Sequence, residues 1–454
     1  MKKLKIVLIA AVSAIALIGG VVGGFAIHTL NYKVESTGQS IENNTGLIQA
    51  RGKVLFDKNG LPIQLRGVNA GNTLVQEDWM SPFSVGEQLD ENGDYVKKDN
   101  YIQYEKFAEK QFREAIKGNT NFANYKVEDV VEYFAKSFFS ENDFVIVKED
   151  LKMNAIRLPF YYLDILNEDL SLKDNDEIFD YFDWFLENCK KNELYCILDL
   201  HGAPGSQNGL DHSGVIDGKS NLWDDENNIN ATIKIWDTIS TYYTATRPDL
   251  GAYIATYDIL NEPREASTNV TTEKCWNVFD RIYDAIRENN DKHVVTFEAC
   301  WDFAKLPNPK DYGWENVQYE YHWYNWNNES VPYDLFYLAS EVSNIGRYYD
   351  VPVYIGEFTC FEDKEAWAKQ LKLFDQRNYS WTIWNYKTCV DGWWTSSWGV
   401  YTIEQKFVTE YEQKRCNIAT CTYDEFLSVC EMVKSDSPKS FKKTLYDVIQ
   451  EYNK

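Results

Sequence analysis

Two glutamates, Glu262 and Glu357, each follow a run of apolar residues, in the motifs ILNEP and YIGEF. A carboxylate at the end of a buried strand is expensive to desolvate unless it is paired. Two carboxyl groups that face each other can cleave a glycosidic bond, because one protonates the leaving oxygen while the other acts on the opposite side of the sugar. We therefore take this pair as candidate catalytic residues; the alternative is two structural carboxylates in ion-pair networks.

Further polar side chains fall at the ends of other apolar runs. Arg157 follows NAI, His201 follows YCILDL, and His322 and Tyr324 close the run QYEYHWY. A nearby cation favours the ionised form of a carboxyl group, so Arg157 is expected to keep Glu357 ionised. The alternative is an ordinary structural salt bridge. Each histidine is either part of the site or a satisfied core residue. Tyr324 either donates a hydrogen bond to Glu357 or packs.

Four more residues are candidates for contact with a substrate. Asn261 precedes Glu262, Trp384 lies in SWTIWNYK, Asn208 lies in a glycine-flanked loop, and Trp301 follows the run HVVTFEAC. Aromatic rings can stack on the faces of sugars, and six other tryptophans share this expectation, at positions 79, 323, 326, 393, 394 and 398. The alternatives are packing for each ring and, for Asn208, a turn that tolerates unusual backbone angles.

Eight short apolar runs alternate with amphipathic stretches and would position these side chains. The predicted strands are 62–70, 154–160, 195–201, 254–262, 293–300, 317–324, 351–358 and 380–387. Helical periodicity covers 178–192, 275–290, 334–349 and 364–378. Apolar strands that alternate with helices indicate a parallel sheet covered on its faces, and eight units predict an α/β fold of the (β/α)8 TIM-barrel type. A doubly wound sheet is the competing fold, but no nucleotide-binding glycine turn follows the first strand. In a barrel the polar strand ends meet at one rim.

Two regions interrupt this alternation. An insertion at 81–150, between the first two strands, contains helical patterns at 101–118 and 127–138. It either forms a wall or lid of the active-site cleft or decorates the periphery. After the eighth strand, a tryptophan-rich stretch is followed by predicted helices at 407–433 and 440–453, which we interpret as a C-terminal helical extension.

The N-terminus predicts export. A basic start is followed by an apolar run at 6–27, long enough to cross a bilayer, which needs about 20 residues. We interpret 1–30 as an uncleaved membrane anchor, favoured over a cleaved signal peptide, 31–49 as a linker, and 50–454 as one catalytic domain. The enzyme is then extracellular, either secreted or held at the cell membrane by this segment alone.

Composition and charge restrict the partners. The net charge of −24 disfavours nucleic acid and anionic membrane surfaces and is compatible with a neutral carbohydrate. The sequence has no CxxC pair and no HExxH motif, so neither a metal nor another cofactor is predicted. Nine cysteines cannot all pair within one chain; Cys416 and Cys421 are a candidate local disulfide. We expect a monomer.

Six motifs in order resemble glycoside hydrolase family 5, the clan-A cellulase family, over about residues 50–400. They are NAIRLPF, LDLHGAPGSQNG, ILNEP, EYHWY, YIGEF and TIWNYK. The resemblance implies a retaining double displacement with Glu262 as acid/base, carrying a raised pKa, and Glu357 as nucleophile. It also implies a surrounding shell of polar and stacking residues, in which Asn261 bonds the sugar 2-hydroxyl; the shell comprises Arg157, His201, Asn261, His322, Tyr324 and Trp384.

Within that family, DLHGAPGSQNG followed by LDHSG is similar to the exo-β-1,3-glucanase branch. The first motif departs from the branch at Gly71-Asn72-Thr73, as does the tryptophan-rich stretch after the eighth strand. We therefore expect a β-glucosidic bond as the target, with β-1,3-glucan ahead of β-1,4-glucan. Other β-glycosides remain an alternative, and a non-catalytic glycan-binding protein on the same barrel is a more distant one.

Overall fold

The protein is a closed barrel of eight parallel strands. A computed structural model describes residues 39–86, 107–263, 272–299, 306–324, 349–361, 363–389, 398–403, 408–409, 412–413, 415–435, 441–443 and 445–452. The barrel strands are β1 (Arg66–Asn69), β2 (Ala155–Tyr161), β3 (Tyr195–Gly202), β4 (Ile254–Asp258), β5 (Val294–Glu298), β6 (Val317–Tyr324), β7 (Val353–Thr359) and β8 (Ser380–Ile383). Each strand pairs with the next along the chain, and β8 pairs with β1. The TIM-barrel prediction is confirmed.

Amphipathic helices cover the barrel, and its strands are almost entirely buried. The four long helices around it are Asn175–Lys191, Glu226–Thr241, Thr272–Glu288 and Lys364–Arg377. Three of them match predicted helical stretches, while the predicted helix at 334–349 lies outside the described residues apart from its last position. Shorter helical turns at Pro248–Gly251 and Pro309–Tyr312 precede β4 and β6. None of the described helices combines the length and hydropathy needed to cross a bilayer, and 1–38 lies outside them.

A small antiparallel sheet closes the N-terminal end of the barrel. It consists of Gln49–Arg51, Val54–Phe56 and Pro62–Ile63. Its Leu55 packs in one cluster with Ala155 and Val294 at the starts of barrel strands. The predicted first strand at 62–70 is therefore wrong as one element: Pro62 lies in an edge strand of this sheet, where its missing N–H is tolerated, and the barrel strand starts at Arg66.

Two other predicted strands end earlier than their apolar runs. The run 254–262 is a strand only to Asp258, because the chain then turns and Glu262 has a positive φ of 41°. The run 380–387 divides into β8 and a separate strand, Lys387–Cys389, which pairs with Tyr401–Ile403. Apolar character continues through these turns because they are buried, so the pattern alone cannot mark the strand ends.

The C-terminal extension is only partly helical. Within the predicted helix 407–433, the structure has a short hairpin of Val408–Thr409 with Glu412–Gln413, and Cys416–Asn417 pairs with Phe83–Ser84. The helix is confined to Tyr423–Met432 because Thr422 and Glu425 form a capping box at its start. The predicted helix at 440–453 likewise begins as a strand, Phe441–Lys443, before the helix Tyr446–Tyr452. The eight described cysteines are free thiols, Cys416 and Cys421 among them.

The insertion is helical as predicted, and its helices pack against the C-terminal extension. They span Glu109–Gly118, Val127–Phe138 and Glu141–Val145. Phe83, which follows β1, contacts Phe134 of the insertion at a ring-centroid distance of 5.1 Å and Phe426 of the extension at 5.8 Å. The described helices of the insertion therefore form a hydrophobic layer with the C-terminal extension. The first of them also contacts the loop after β3, since Lys110 N donates to the Gly214 carbonyl oxygen at 3.0 Å.

A buried ion pair joins the insertion to the segment after β8. Lys387 Nζ lies 2.8 Å from Asp143 Oδ2, and both side chains are fully buried. Lys387 also donates to the carbonyl oxygens of Phe138, at 2.7 Å, and Val433, at 3.3 Å. Tyr386 donates to the other oxygen of Asp143 at 2.7 Å. Three separate parts of the chain thus meet at one ammonium group.

We expect Lys387→Met to lower the free energy of unfolding by about 3–5 kcal/mol, because it leaves the buried Asp143 carboxylate without its cation. Denaturant unfolding followed by circular dichroism measures this change. Lys190→Met is the matched control, since Lys190 forms an exposed pair with Asp249 at 3.0 Å, and exposed pairs contribute about 1 kcal/mol or less. Equal effects of the two variants would show that the Lys387 pair does not anchor the insertion.

Candidate active site

The C-terminal ends of the barrel strands bring the predicted polar residues together. Arg157 lies in β2, His201 in β3, His322 and Tyr324 in β6, and Glu357 in β7. Asn261 and Glu262 follow β4, and Trp384 follows β8. In the pairing of β6 with β7, His322 lies beside Glu357. A Cβ on Gly356 would collide with Glu320 Oε1, so any larger residue immediately before Glu357 would displace the Glu320 carboxyl group.

Glu357 is held by two hydrogen bonds. Arg157 Nη1 lies 2.9 Å from its Oε1, and Tyr324 donates its hydroxyl proton to Oε2. Both contacts are those that the sequence predicts. They fix the carboxylate at the rim, with only about 5% of the residue exposed.

Arg157 contacts several carboxyl groups at once. Its guanidinium lies 2.7 Å from Asp258, 3.1 Å from Asp199 and 3.7 Å from Glu320, in addition to Glu357. Each of these side chains is buried, and one guanidinium cannot neutralise four carboxylates. Some of the carboxyl groups must therefore hold protons near neutral pH.

The pKa shifts of these acids agree with that count. Burial raises the pKa of Asp199 to about 7 and that of Asp258 to about 6, although Arg157 opposes both shifts. Burial and the neighbouring Asp258 raise the pKa of Glu320 well above its usual range. Burial and the charge of Glu262 do the same to Glu298. Glu298 and Glu320 are thus neutral acids in the barrel interior at neutral pH, whereas Asp199 and Asp258 titrate close to neutral pH.

Glu262 lies on a turn that aims its carboxyl group at two histidines. Its backbone N–H donates to Glu298, its Oε1 lies 2.8 Å from His322 Nδ1, and its Oε2 lies 2.9 Å from His212 Nε2. Burial alone would raise the pKa of Glu262, but the charge and hydrogen bond of His212, followed by those of His322, hold it well below the usual range. The expected raised pKa is therefore wrong for the free enzyme, because the sequence did not reveal the second histidine.

His322 lies between the two glutamates. Its Nδ1 is 2.8 Å from Glu262 Oε1 and 3.4 Å from Glu357 Oε2, so these two oxygens are at most 2.8 + 3.4 = 6.2 Å apart. Its Nε2 faces Glu320 Oε1 at 3.3 Å. Burial lowers the pKa of His322, but Glu357, Glu262 and Glu320 together raise it to about 10. A protonated imidazole therefore separates the two carboxyl groups.

His201 and Trp384 form another side of the site. His201 Nδ1 lies 2.6 Å from Asp199 Oδ2, and its ring stacks on the Trp384 indole at a centroid distance of 5.4 Å and an interplanar angle of 3°. Burial lowers the pKa of His201 to about 3. His201 is thus a neutral, positioned ring and not a second cation.

The two candidate asparagines occupy different surroundings. Asn261 Oδ1 accepts from Arg157 Nη2 at 2.8 Å, and among the described residues its buried Nδ2 has no hydrogen-bond partner. Asn208 is buried, and its Nδ2 donates to the Glu262 carbonyl oxygen at 3.1 Å. Gln207 connects the same segments by donating to the carbonyls of His201 and Asn261. Asn261 is therefore held by Arg157 with a buried Nδ2 that is unpaired among the described residues, whereas Asn208 supports the backbone at Glu262.

An aromatic wall follows β1 and includes some of the predicted tryptophans. Trp79 donates to Glu77 at 2.6 Å and contacts Trp398 at a centroid distance of 5.1 Å. Trp398 in turn contacts Tyr324 at 5.3 Å. Trp323 lies within β6 and is almost fully buried, so it packs. Trp301 and the tryptophans at 326, 393 and 394 lie outside the described residues.

Sequence reasoning missed four ionisable residues of the site: Glu77, His212, Glu298 and Glu320. Glu298 and Glu320 lie inside strands. Both faces of a barrel strand are buried, so the sequence pattern does not show which side chains point into the barrel. Glu77 lies in the loop after β1, and His212 lies in the quoted LDHSG motif. The scarcity of histidine was the available signal for His212, since the chain has five.

Glu262, Glu298 and His322 each offer a ligand atom within 4.8 Å of the others, a group that could hold a metal ion. His322 is already hydrogen-bonded to Glu262, and Glu298 accepts from the Glu262 backbone. These bonds account for the proximity, and we treat the group as part of the carboxylate–histidine network.

A parallel barrel whose C-terminal rim joins two glutamates with arginine, histidine and tyrosine defines a glycoside hydrolase. The family model for cellulase, glycosyl hydrolase family 5, matches residues 109–389. The chain belongs to this family and is an O-glycosyl hydrolase.

Two curated relatives and one solved structure illustrate the similarity. The chain is 26% identical over 372 residues to a beta-xylosidase of Phanerodontia chrysosporium, covering 75% of this chain and 70% of that protein. It is 25% identical over 397 residues to a glucan 1,3-beta-glucosidase of Schwanniomyces occidentalis, covering 74% and 87%. The crystal structure of rutinosidase from Aspergillus niger superposes with a TM-score of 0.53 at 16% identity, covering 81% of this chain and 98% of that chain, and supports the fold.

We expect Glu320→Gln to stabilise the protein increasingly as the pH rises from about 4 to 8. A carboxyl group with a raised folded pKa retains its proton after the unfolded chain has lost it, so the wild type loses stability as the pH rises above the unfolded value. The amide does not titrate. The free energy of unfolding of the variant should exceed that of the wild type by about 1 kcal/mol or more at pH 8, with near equality at pH 4.

Denaturant titrations at both pH values measure the difference. The control is Glu273→Gln, whose side chain is exposed and whose replacement should leave the pH dependence unchanged. A constant offset between Glu320→Gln and the wild type at both pH values would contradict a protonated Glu320.

Proposed function

We propose that the enzyme cleaves β-glucosidic bonds with retention of configuration, with Glu357 as nucleophile and Glu262 as acid/base. The observation that carries this proposal is the short span between the two carboxyl groups, which His322 limits to at most 2.8 + 3.4 = 6.2 Å between their facing oxygens. Inverting enzymes keep their carboxyl groups about 6.5–9.5 Å apart to admit a water molecule, whereas retaining enzymes need about 5–5.5 Å. The limit supports direct attack by Glu357.

The proposed reaction has two steps. Glu357 forms a bond to the anomeric carbon while Glu262 gives a proton to the glycosidic oxygen, which leaves with the electron pair of the broken bond. Water then attacks the anomeric carbon, loses a proton to Glu262 and releases Glu357. Arg157 and Tyr324 hold Glu357 in position for attack, and the free Nδ2 of Asn261 would donate to the hydroxyl next to the anomeric carbon.

We infer a β-glucan as the substrate, with β-1,3 linkages ahead of β-1,4. The relative named glucan 1,3-beta-glucosidase supports this order, and the relative named beta-xylosidase keeps other β-glycosides as the alternative. The half-buried Trp79 offers the site a flat apolar surface of the kind that sugar rings contact, and the buried Trp398 packs against it.

We further propose that the enzyme acts outside the cell, with its N-terminal segment as a signal or membrane anchor. The basic and apolar residues of this segment support export. The strongly negative chain suits a neutral polysaccharide as its partner, with the enzyme acting as a monomer.

We expect Glu262→Gln and Glu357→Gln each to abolish most activity on laminarin. Loss of the acid/base should lower kcat by about 10²–10⁴-fold, and loss of the nucleophile should lower it by about 10³-fold or more. Reducing-sugar assays measure both changes, and proton NMR of the first product anomer tests retention. Glu273→Gln serves as an exposed control with wild-type activity. Full activity of either site variant, or an inverted product, would overturn the assignment.

The linkage preference is tested on a panel of β-1,3-, β-1,4-, β-1,6- and mixed-linkage glucans. We expect the highest kcat/KM on the β-1,3 polymer, and chromatography of the products distinguishes release of single glucose units from internal cleavage. A higher kcat/KM on carboxymethyl-cellulose than on laminarin would contradict the β-1,3 preference.

A further inference from the structure

His212 contacts Glu262 but has no part in the two steps above. It lies on the short turn Asp211–Ser213 after β3, and its Nε2 is 2.9 Å from Glu262 Oε2. The side chain of His212 is 21% exposed, against 6% for that of Glu262. Among the described contacts of Glu262, His212 therefore stands on the solvent side of the carboxyl group, whereas His322 lies on the buried side.

The position of the proton between His212 and Glu262 depends on Asn208. Leu210 N donates to Asn208 Oδ1 at 2.9 Å, and Asn208 Nδ2 donates to the Glu262 carbonyl, so the orientation of this amide is fixed. The same Nδ2 lies 2.8 Å from His212 Nε2. A proton on His212 Nε2 forms a hydrogen bond to the Glu262 carboxylate, but it also faces the N–H donor of Asn208 Nδ2, and two donors cannot form a hydrogen bond with each other. A proton on Glu262 leaves Nε2 free to accept.

We propose that His212 holds the proton required by the leaving group and shares it with Glu262 across their hydrogen bond, so that a glutamate–histidine pair is the acid/base of this enzyme. His212 is then a positioning residue, because it acts through Glu262. The proposal rests on the assignment of Glu262 as acid/base.

The proton balance closes over one catalytic cycle. In the free enzyme the proton is on His212 Nε2 and Glu262 is a carboxylate. When substrate binds, the proton moves to Glu262 Oε2 and from there to the glycosidic oxygen as the bond to the anomeric carbon breaks. In the second step water loses a proton to Glu262, and this proton returns to His212. No further reactant is needed.

Charged groups from several elements act on His212. Burial lowers its pKa, but Glu262 and Asp211 raise it well above the usual range. Glu77, in the loop after β1, and His201, at the end of β3, also interact with its charge. The effect of the acidic neighbours on the pKa of His212 exceeds that of burial, so the His212–Glu262 pair retains its proton at neutral pH. Without His212, Glu262 beside the cationic His322 would lose its proton at this pH.

The test is His212→Asn in the full-length enzyme. Asparagine cannot store a proton, so the basic limb of the kcat/KM profile should move to lower pH by about one unit or more. On phenyl β-glucoside, whose leaving group needs a proton, kcat/KM at pH 7 should fall by about tenfold or more. On 2,4-dinitrophenyl β-glucoside, whose leaving group needs none, the fall should be much smaller.

Asp217→Asn, an exposed change in the same loop, is the matched control and should keep the wild-type profile. Glu262→Gln tests the underlying assignment separately: if it stays fully active, the proposed function fails. If Glu262→Gln is impaired but His212→Asn keeps both the wild-type basic limb and the wild-type leaving-group dependence, the pair is overturned.

A second measurement needs no substitution at His212. The chain has five histidines, so their imidazole signals can be resolved by NMR of histidine-labelled protein. The titration of His212 should move to lower pH in Glu262→Gln, because its hydrogen-bonded anion is gone. An unchanged titration would overturn the pair even if His212→Asn failed to fold.

Discussion

The site depends on one buried cation. Arg157 is fully buried and contacts carboxyl groups from β3, β4, β6 and β7. Its guanidinium is planar and cannot lose its proton, so it fixes the directions in which these acids point. The same cation explains why the barrel interior can contain so many acids. Glu320, whose pKa is raised well above its usual range, packs near it as a neutral group, and Glu357 is the member that reaches the rim.

The two glutamates acquire different surroundings from their backbone. Glu357 lies inside a regular strand, where the pairing with β6 places it beside His322. Glu262 lies beyond the end of β4, on a turn with a positive φ, and the turn carries its carboxyl group to His212 and His322. Glu357 is held by arginine and tyrosine, whereas Glu262 is held by two histidines. The local chain geometry already produces this difference.

The sequence predicted much of this arrangement because strand ends in a barrel converge. His201, His322 and Glu357 could be placed near one rim from apolar runs alone. Arg157 lies deeper, as the third residue of β2, and its contact with Glu357 was one of two alternatives that the charges left open. The same reasoning could not find Glu298 or Glu320, since both faces of a barrel strand are buried and the pattern does not show which side chain points inward. His212 was missed because it belongs to a loop whose path no periodicity describes.

The packing of the insertion against the C-terminal extension also has a consequence for synthesis. Phe134 and Asp143 leave the ribosome early, whereas Phe426 and Val433, which complete the same layer, are made near the end of the chain. The apolar face of the insertion that these residues cover therefore stays exposed while most of the barrel is translated. Loss of the last segment would leave that face exposed to aggregation even though every barrel strand had been made.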